Sequence, residues 1–323
     1  MNIEIFSEWL SRQGHRVVRT DSSLWYDQGP HFLQAFPYHW LIQPSEDELR
    51  DLMMRERALG LRYSSPIESS CGKISYHVVF ERGSYDLESL NAKARRDVRS
   101  SLKQCEVSNI SMERLAKHGW RLQEDTLERQ GRRGSLSQGR WELICMAAMD
   151  LPGFEGWGVT VEDELAAAAL TARVDDTCYI LYQMSDRRHF RAYVNNALTY
   201  VASQKLLERP GVRTVFYGLH SLDAPASVDK FKFRMDYVAK PVRQRVSVHP
   251  WLSPGVNKVT QTVAAWLRNW LPQSRTIAKA EGILRFHLEG NRPPGEQNWP
   301  EGLAHRKLEI LESLKGRVLK GQK

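Results

Sequence analysis

Cysteine is scarce in this chain. Four residues (Cys71, Cys105, Cys145 and Cys178) are spread over 323 positions with no C-x-x-C pair. That spacing argues against a disulfide scaffold and against a thiolate zinc site, and favours neutral or buried thiols in a reducing cytoplasm. No run of about 18 apolar residues occurs, so no membrane-spanning helix is expected. The opening MNIEIFSEWLSRQ carries acidic residues early and has no apolar core before a small-residue cleavage site, so it does not read as a secretory signal. No G-x-G-x-x-G follows a strand, and neither G-x-S-x-G nor H-E-x-x-H is present. These absences disfavour a nucleotide-fold oxidoreductase, a serine hydrolase built on a nucleophile elbow and a zinc protease.

What is present fits a globular chain expected in the cytoplasm, with 41% hydrophobic and 26% charged residues. The net charge of +8 suits an anionic partner such as a nucleotide, a nucleic acid or an acidic surface, but many basic proteins bind none of these. No short-period repeat is visible.

Residues 1–117 read as mixed α/β. Ile3, Ile5, Phe6, Trp9 and Leu10 make the apolar face of a first helix. HRVVR and SLWYD look like short strands, followed by an aromatic-rich connection through Phe32, Phe36, Tyr38, His39 and Trp40. Ser45 and Glu48 form a capping-box pattern before a helix whose inward face is predicted as Leu49, Leu52, Met53 and Leu59. LRYSS and ISYHVVFER alternate like strands. The most basic element is a predicted helix over 86–105, where Arg96, Arg99 and Lys103 line one face. It reads either as an electrostatic cradle or as a solvated face.

From Trp120, WRLQE is predicted as a strand and DTLERQGR as a short helix. A Gly/Ser/Arg loop with Arg132 and Arg133 comes next, then the helix RWELICMAAMDL. FEGWGVTV, ELAAAALTARV and CYILYQMS follow as three antiparallel strands, with Asp175 and Asp176 at a tight turn. A helix at about 195–208, the strand RTVFYGL, a helix opened by Pro225 and the strand VRQRVSVH complete this part. The rest, 251–323, is predicted helical, with Val259, Val263, Ala264, Leu267 and Trp270 on one side and a ragged basic end. Trp266, Trp270 and these helices are suited to covering a partner. Arg187, Arg188 and Arg191 sit just before a helix N-terminus, where open amides and the macrodipole favour phosphate.

The order of elements from residue 119 resembles the acyl-CoA N-acyltransferase fold of the GNAT superfamily, and its closing part resembles the Fem-type aminoacyl transferase branch. The resemblance rests on VNNALTYVASQKLL (194–207), VFYGL (215–219) with SLDAP, and FKFRMDY (231–237) followed by PVRQRV. The helix with Lys93, Arg96 and Arg99 is similar to the Lys-x-x-Arg helix of those relatives. Two departures stand out. Asp236 occupies a position where the relatives' pattern has glycine, and no glycine lies between Ser185 and Ala197, where coenzyme A enzymes usually carry several.

The resemblance implies a mostly antiparallel central sheet flanked by helices. It also implies three consecutive regions: a partial or degenerate GNAT-like part (1–117), an acyltransferase domain (118–250) and a helical extension (251–323). It implies transfer of an acyl or aminoacyl group to an amine, with acyl-CoA as the foremost co-substrate and aminoacyl-tRNA or an acyl carrier protein as alternatives. Nucleic acid enters only in the aminoacyl-tRNA case, and the acceptor is a small-molecule or cell-envelope-precursor amine. Strands over 177–185 and 213–219 are expected to splay apart around the donor. Gln183 and Ser185 then end the donor strand, and Arg187, Arg188, Arg191, Asn195 and Asn196 contact its phosphates. Lys232 is the foremost functional side chain, Tyr217 and His220 are proton carriers, and Lys93, Arg96 and Arg99 bind substrate. No metal is implied.

Each assignment has a plainer counterpart. Lys232 could be a surface lysine, Tyr217 and His220 structural, and Asp223 a turn residue. The aromatics Trp25, Tyr26, Phe36, Tyr38 and Trp40 could pack a core rather than line a pocket. Against the enzyme stands a second reading, a non-catalytic module of the same fold that binds RNA or another polyanion. The charge is spread over the chain and no RNA-binding signature is present, which favours the enzyme.

Overall fold

The computed structural model describes residues 2–29, 31–132, 134–220, 227–271 and 274–320. Arg133, Asp223, Pro225 and the last three residues of the basic tail lie outside them. The first half runs α1 (Ile3–Arg12), β1 (Val17–Arg19), β2 (Leu24–Gly29), β3 (Phe32–Phe36), α2 (Glu46–Glu56), β4 (Gly60–Ser65), β5 (Lys73–Phe80), α3 (Ala92–Ser101), β6 (Glu106–Ile110), α4 (Met112–Arg129) and α5 (Gln138–Ala148). The second half runs β7 (Phe154–Val161), β8 (Glu164–Val174), β9 (Thr177–Ser185), α6 (Val194–Leu207), β10 (Thr214–Leu219), α7 (Ser227–Arg234), β11 (Val238–Val248), α8 (Lys258–Trp270), α9 (Arg275–Gly290) and α10 (Lys307–Lys320).

Two compact units emerge, and neither is continuous in sequence. The first comprises 1–15, 78–218 and 227–238; the second comprises 16–77, 219–226 and 239–323. This partition differs from the consecutive regions 1–117, 118–250 and 251–323, because the chain passes repeatedly from one unit to the other.

In the first unit the strand order is β10-β9-β8-β7-β6. The β7–β8 and β8–β9 hairpins are antiparallel, and Asp175 takes the left-handed conformation (φ 55°) at the second turn. β8 carries four consecutive alanines, Ala166 to Ala169, and nearly all of it is buried. Burial along the whole length means both faces are covered. Helices α4 and α6 both pack against it, and small side chains permit their close approach. Phe6 and Trp9 of α1 extend this core onto Phe154.

The segment 120–124 corrects the sequence reading. It is not a strand but the middle of α4, an eighteen-residue helix capped by Ser111. Its buried positions Leu115, Ala116, Gly119, Leu122 and Gln123 recur at helical spacing, and Trp141 donates its indole N–H to the Leu115 carbonyl at 3.2 Å. The strand that opens the pattern lies earlier, at β6. Its partner β7 carries Gly156, where a Cβ would come 2.7 Å from the Ile110 carbonyl oxygen. The basic segment 86–105 likewise shortens to α3, capped by Asn91.

In the second unit the order is β1-β2-β3-β4-β11-β5. The aromatic connection proves to contain a strand, β3, antiparallel to β2 and parallel to β4. Trp25 and Phe36 are fully buried and Tyr26 nearly so, while Trp40 is partly exposed. Trp25 joins Leu33, Leu49, Leu52, Met53 and Leu61 in one cluster. Leu59 is absent from it: α2 stops at Glu56, and Leu59, beyond the left-handed Arg57, is half exposed. The Ser45 side chain does cap α2, but Glu48 turns to the hydroxyl and backbone N–H of Ser22 instead of closing the box. Lys73 of β5 and Glu289 of α9 form a buried ion pair that ties the helical extension into this unit.

Candidate functional site

The site in the first unit follows from how β9 and β10 part. They pair in parallel only through Thr214↔Thr177, Val215↔Cys178 and Phe216↔Tyr179. On its other side β9 stays bonded to β8, with a bulge where Leu170 pairs with Tyr182 and Thr171 with Ile180. A bulge bends and twists the strand that contains it. The stretch 180–185 therefore has backbone groups with no partner on β10, an open edge that an extended substrate arm can match.

Three of the anticipated side chains converge there. The Tyr217 hydroxyl donates to Gln183 Oε1 at 2.5 Å. The Gln183 amide donates to Thr199 Oγ1 at 3.0 Å and to Asn195 Oδ1 at 3.4 Å. The Lys232 ammonium stands 4.9 Å from the Tyr217 ring centroid and 2.8 Å from Asp229 Oδ1. Burial pushes the Tyr217 hydroxyl above the ordinary tyrosine range, and the charge of Asp229 pushes the same way. That group is a proton donor at neutral pH and a poor base. Next to it Gly218 has φ 147°, and a Cβ there would approach Lys232 Nζ to 3.9 Å.

Lys232 owes its position to the end of α7. Tyr237 N–H bonds the Lys232 carbonyl and Asp236 N–H bonds the Phe233 carbonyl, which is a Schellman closure. Asp236 occupies its left-handed position (φ 64°). This accounts for glycine in the relatives' pattern: aspartate tolerates the left-handed region better than most residues, and here Arg82 holds its carboxylate at 3.0 Å. Tyr237 follows, packs edge-on to Tyr217 at 5.1 Å and bonds Ser203.

The anticipated phosphate set divides. Arg187 is paired with Asp125 and with Glu128, and its backbone N–H also goes to Asp125. Arg188 is paired with Asp186 and Glu164, and its N–H goes to Asp186. Carboxylates thus already hold the guanidinium groups and the amides expected to receive phosphate. Asn196 is also withdrawn: at 4% exposure its amide faces the Met235 sulfur inside the unit. Asn195 stays at the site, donating to Ser185 Oγ at 2.8 Å. Ser185 is held in turn by Arg129 and Thr126 of α4, a contribution the sequence reading missed because it gave the short helix over 125–132 no part in the site. Arg191 is exposed and makes no ion pair among the described residues. Glu164, Asp186 and His189 lie close enough to suggest a cation site, but the guanidinium groups of Arg121 and Arg188 hold the two carboxylates, drawing Glu164 down to about 2.

His220 belongs to the second unit. Its ring stacks on Tyr76 at 4.6 Å and contacts Ser75 at 3.2 Å, and its carbonyl accepts from Arg62 and Gln244. These contacts fix it within that unit's fold. On α3, Arg96 and Arg99 border a shallow depression of about 570 Å³ with Arg95 and Lys103. Lys93 is exposed on the same helix outside it, Arg96 lies 3.5 Å from Asp97, and Arg99 lies 3.4 Å from Glu88.

No family profile matches the sequence, and comparison with curated proteins finds no similar sequence. Solved structures are more informative. FemX superimposes with a TM-score of 0.55 over 77% of this chain and 92% of its own, at 12% identity. The C-terminal domain of a putative lysylphosphatidylglycerol synthetase from Agrobacterium fabrum gives 0.51 over 75% and 87%, at 11% identity. A conserved protein of unknown function from Bacteroides thetaiotaomicron gives 0.50 over 75% and 88%, at 10% identity. With its parted strands and the helix that follows β9, this chain shares the fold of FemX and of that synthetase domain.

Proposed function

We propose that the chain is an N-acyltransferase that moves an acyl or aminoacyl group from an activated donor to an amine. The observation that carries this reading is the gap opened where β9 and β10 stop pairing, lined by Gln183, Tyr217 and Lys232. A donor's acyl arm lies against the open edge of 180–185. The neutral amine attacks the carbonyl carbon, the tetrahedral intermediate collapses, and the leaving sulfur or oxygen takes up a proton as the nitrogen gives one up. Lys232 supplies a cation beside the developing negative charge, and Tyr217 holds Gln183 at the strand end.

Acyl-CoA is the expected donor. One observation favours a different donor, an aminoacyl-tRNA or a carrier-borne acyl group: Asp125 and Asp186 occupy the amides and arginines that would otherwise receive a pyrophosphate. Calorimetric titration with acetyl-CoA, a long-chain acyl-CoA and an aminoacyl-tRNA separates these donors. Binding of a thioester that weakens in Arg191→Ala supports coenzyme A. Binding of the tRNA alone supports the second donor, and binding of none removes the proposal.

A further inference from the structure

We infer that α8 is a docking helix for an anionic lipid surface. Val259, Val263, Trp266 and Trp270 follow each other at intervals of four, three and four residues, which keeps them within about 60° of one another around a helix. They are 71%, 50%, 53% and 70% exposed, and α8 contains no buried residue at all. The opposite side of α8 faces α9 through the 2.9 Å pair of Arg268 with Glu281, so the tryptophan face is not the one that joins the helix to its unit. The helix is also well formed, with Asn257 and Thr260 completing a reciprocal cap. The Trp266 and Trp270 rings lie 5.1 Å apart, so the stripe presents a continuous aromatic surface. A contiguous patch of this kind on a water-facing helix marks a contact site.

Charge selects the occupant. From Tyr237 to Ala280 the sequence contains no aspartate or glutamate, while Lys240, Lys258 and Lys279 are exposed within it; Arg243 is buried, and Arg245 and Arg268 are paired with Glu46 and Glu281. An acid-free basic segment around a tryptophan stripe has the two components of interfacial binding: rings that settle at headgroup depth and cations attracted to anionic lipid. A second copy of the chain is disfavoured, because a twofold contact through this face would bring two basic segments together. The helix is too short to span a bilayer and lies in its surface.

This inference is independent of the transfer chemistry, and its test reads binding alone. The full chain is sedimented with vesicles of phosphatidylglycerol and, separately, of phosphatidylcholine. Pelleting is expected with phosphatidylglycerol, at least about tenfold weaker with phosphatidylcholine, and weaker again as salt is raised. Trp266→Ala/Trp270→Ala is expected to lower partitioning by about tenfold or more with an unchanged far-ultraviolet circular dichroism spectrum. Quenching of the unaltered protein's tryptophan fluorescence by brominated phosphatidylglycerol gives a second readout that depends on no variant. Failure to bind phosphatidylglycerol, equal binding to both lipids, or a dimer that the paired variant dissociates without any vesicle binding would each overturn it.

Discussion

The Lys232 ammonium lies over the face of the Tyr217 ring, 4.9 Å from its centroid, while the hydroxyl of that ring donates to Gln183. A cation over an aromatic face is attracted by the ring quadrupole. Asp229, 2.8 Å from Nζ, holds the same ammonium from the other side. Lys232 is thus a positioned charge on the gap between β9 and β10.

Lys232→Ala is expected to lower kcat/KM for transfer by about tenfold to a thousandfold, and to lower the thermal midpoint as well, because it removes the largely buried pair with Asp229. Tyr217→Phe removes one hydrogen bond and is expected to cost about 1 kcal/mol of stability. Steady-state kinetics beside thermal denaturation of both variants separates the two effects. A lysine variant with full activity would leave Lys232 as a structural cation.

Gly156→Ala tests the register of the β6–β7 pair. A Cβ there meets the Ile110 carbonyl oxygen at 2.7 Å, and backbone cannot step aside as a flexible side-chain end could. A loss of about 1–3 kcal/mol is expected in urea denaturation. Gly139→Ala serves as control, since nothing lies within 4 Å of its added Cβ.

The order of elements was largely legible in the sequence because β7, β8, β9 and α6 carry strong, uninterrupted apolar patterns. The misreading at 120–124 arose because five residues of a long helix, read alone, also alternate; only the full eighteen-residue stripe settles the period. β3 was missed because its aromatics resembled a connection, although β2 and β4 on either side complete their ladders through it. For the site, the sequence reading named Gln183, Tyr217 and Lys232, which the structure brings together, and Arg187 and Arg188, which it pairs with carboxylates. Their carboxylate partners Asp125, Glu128 and Glu164 lie dozens of residues away, a pairing that local sequence does not encode. Asp236 is the converse case. Its departure from the relatives' pattern preserves the backbone conformation that glycine would supply.

The Lys73–Glu289 pair gives a sharp stability prediction. The two side chains are 4% and 7% exposed, and the amide of Asn298 also donates to Glu289. Burial lowers the lysine pKa, an effect opposed by the bond to Glu289. Lys73→Met leaves an uncompensated buried carboxylate and is expected to cost about 3–5 kcal/mol, whereas Lys73→Met/Glu289→Leu is expected to recover much of the loss. Equilibrium denaturation of both variants decides this.

Acid sensitivity is expected from His77. Burial, followed by the charges of His39, Lys240 and Arg62, lowers its folded pKa to about 3 from an ordinary value near 6.5. Between these values the unfolded chain binds the extra proton, so its contribution to stability is complete above the ordinary value and is lost as pH falls toward 3. Urea midpoints measured over that range should fall less steeply in His77→Gln than in the unaltered protein. Parallel curves would assign the acid loss to other groups.

Hydrogen exchange tests the donor gap most directly. Peptides covering 180–185 and 217–219 are followed by mass spectrometry before and after addition of the donor that calorimetry identifies. The account predicts slowed exchange concentrated in 180–185, where the amides have no β10 partner, and loss of that protection in Lys232→Ala. Protection confined to α3, or none in the presence of a bound donor, would contradict it.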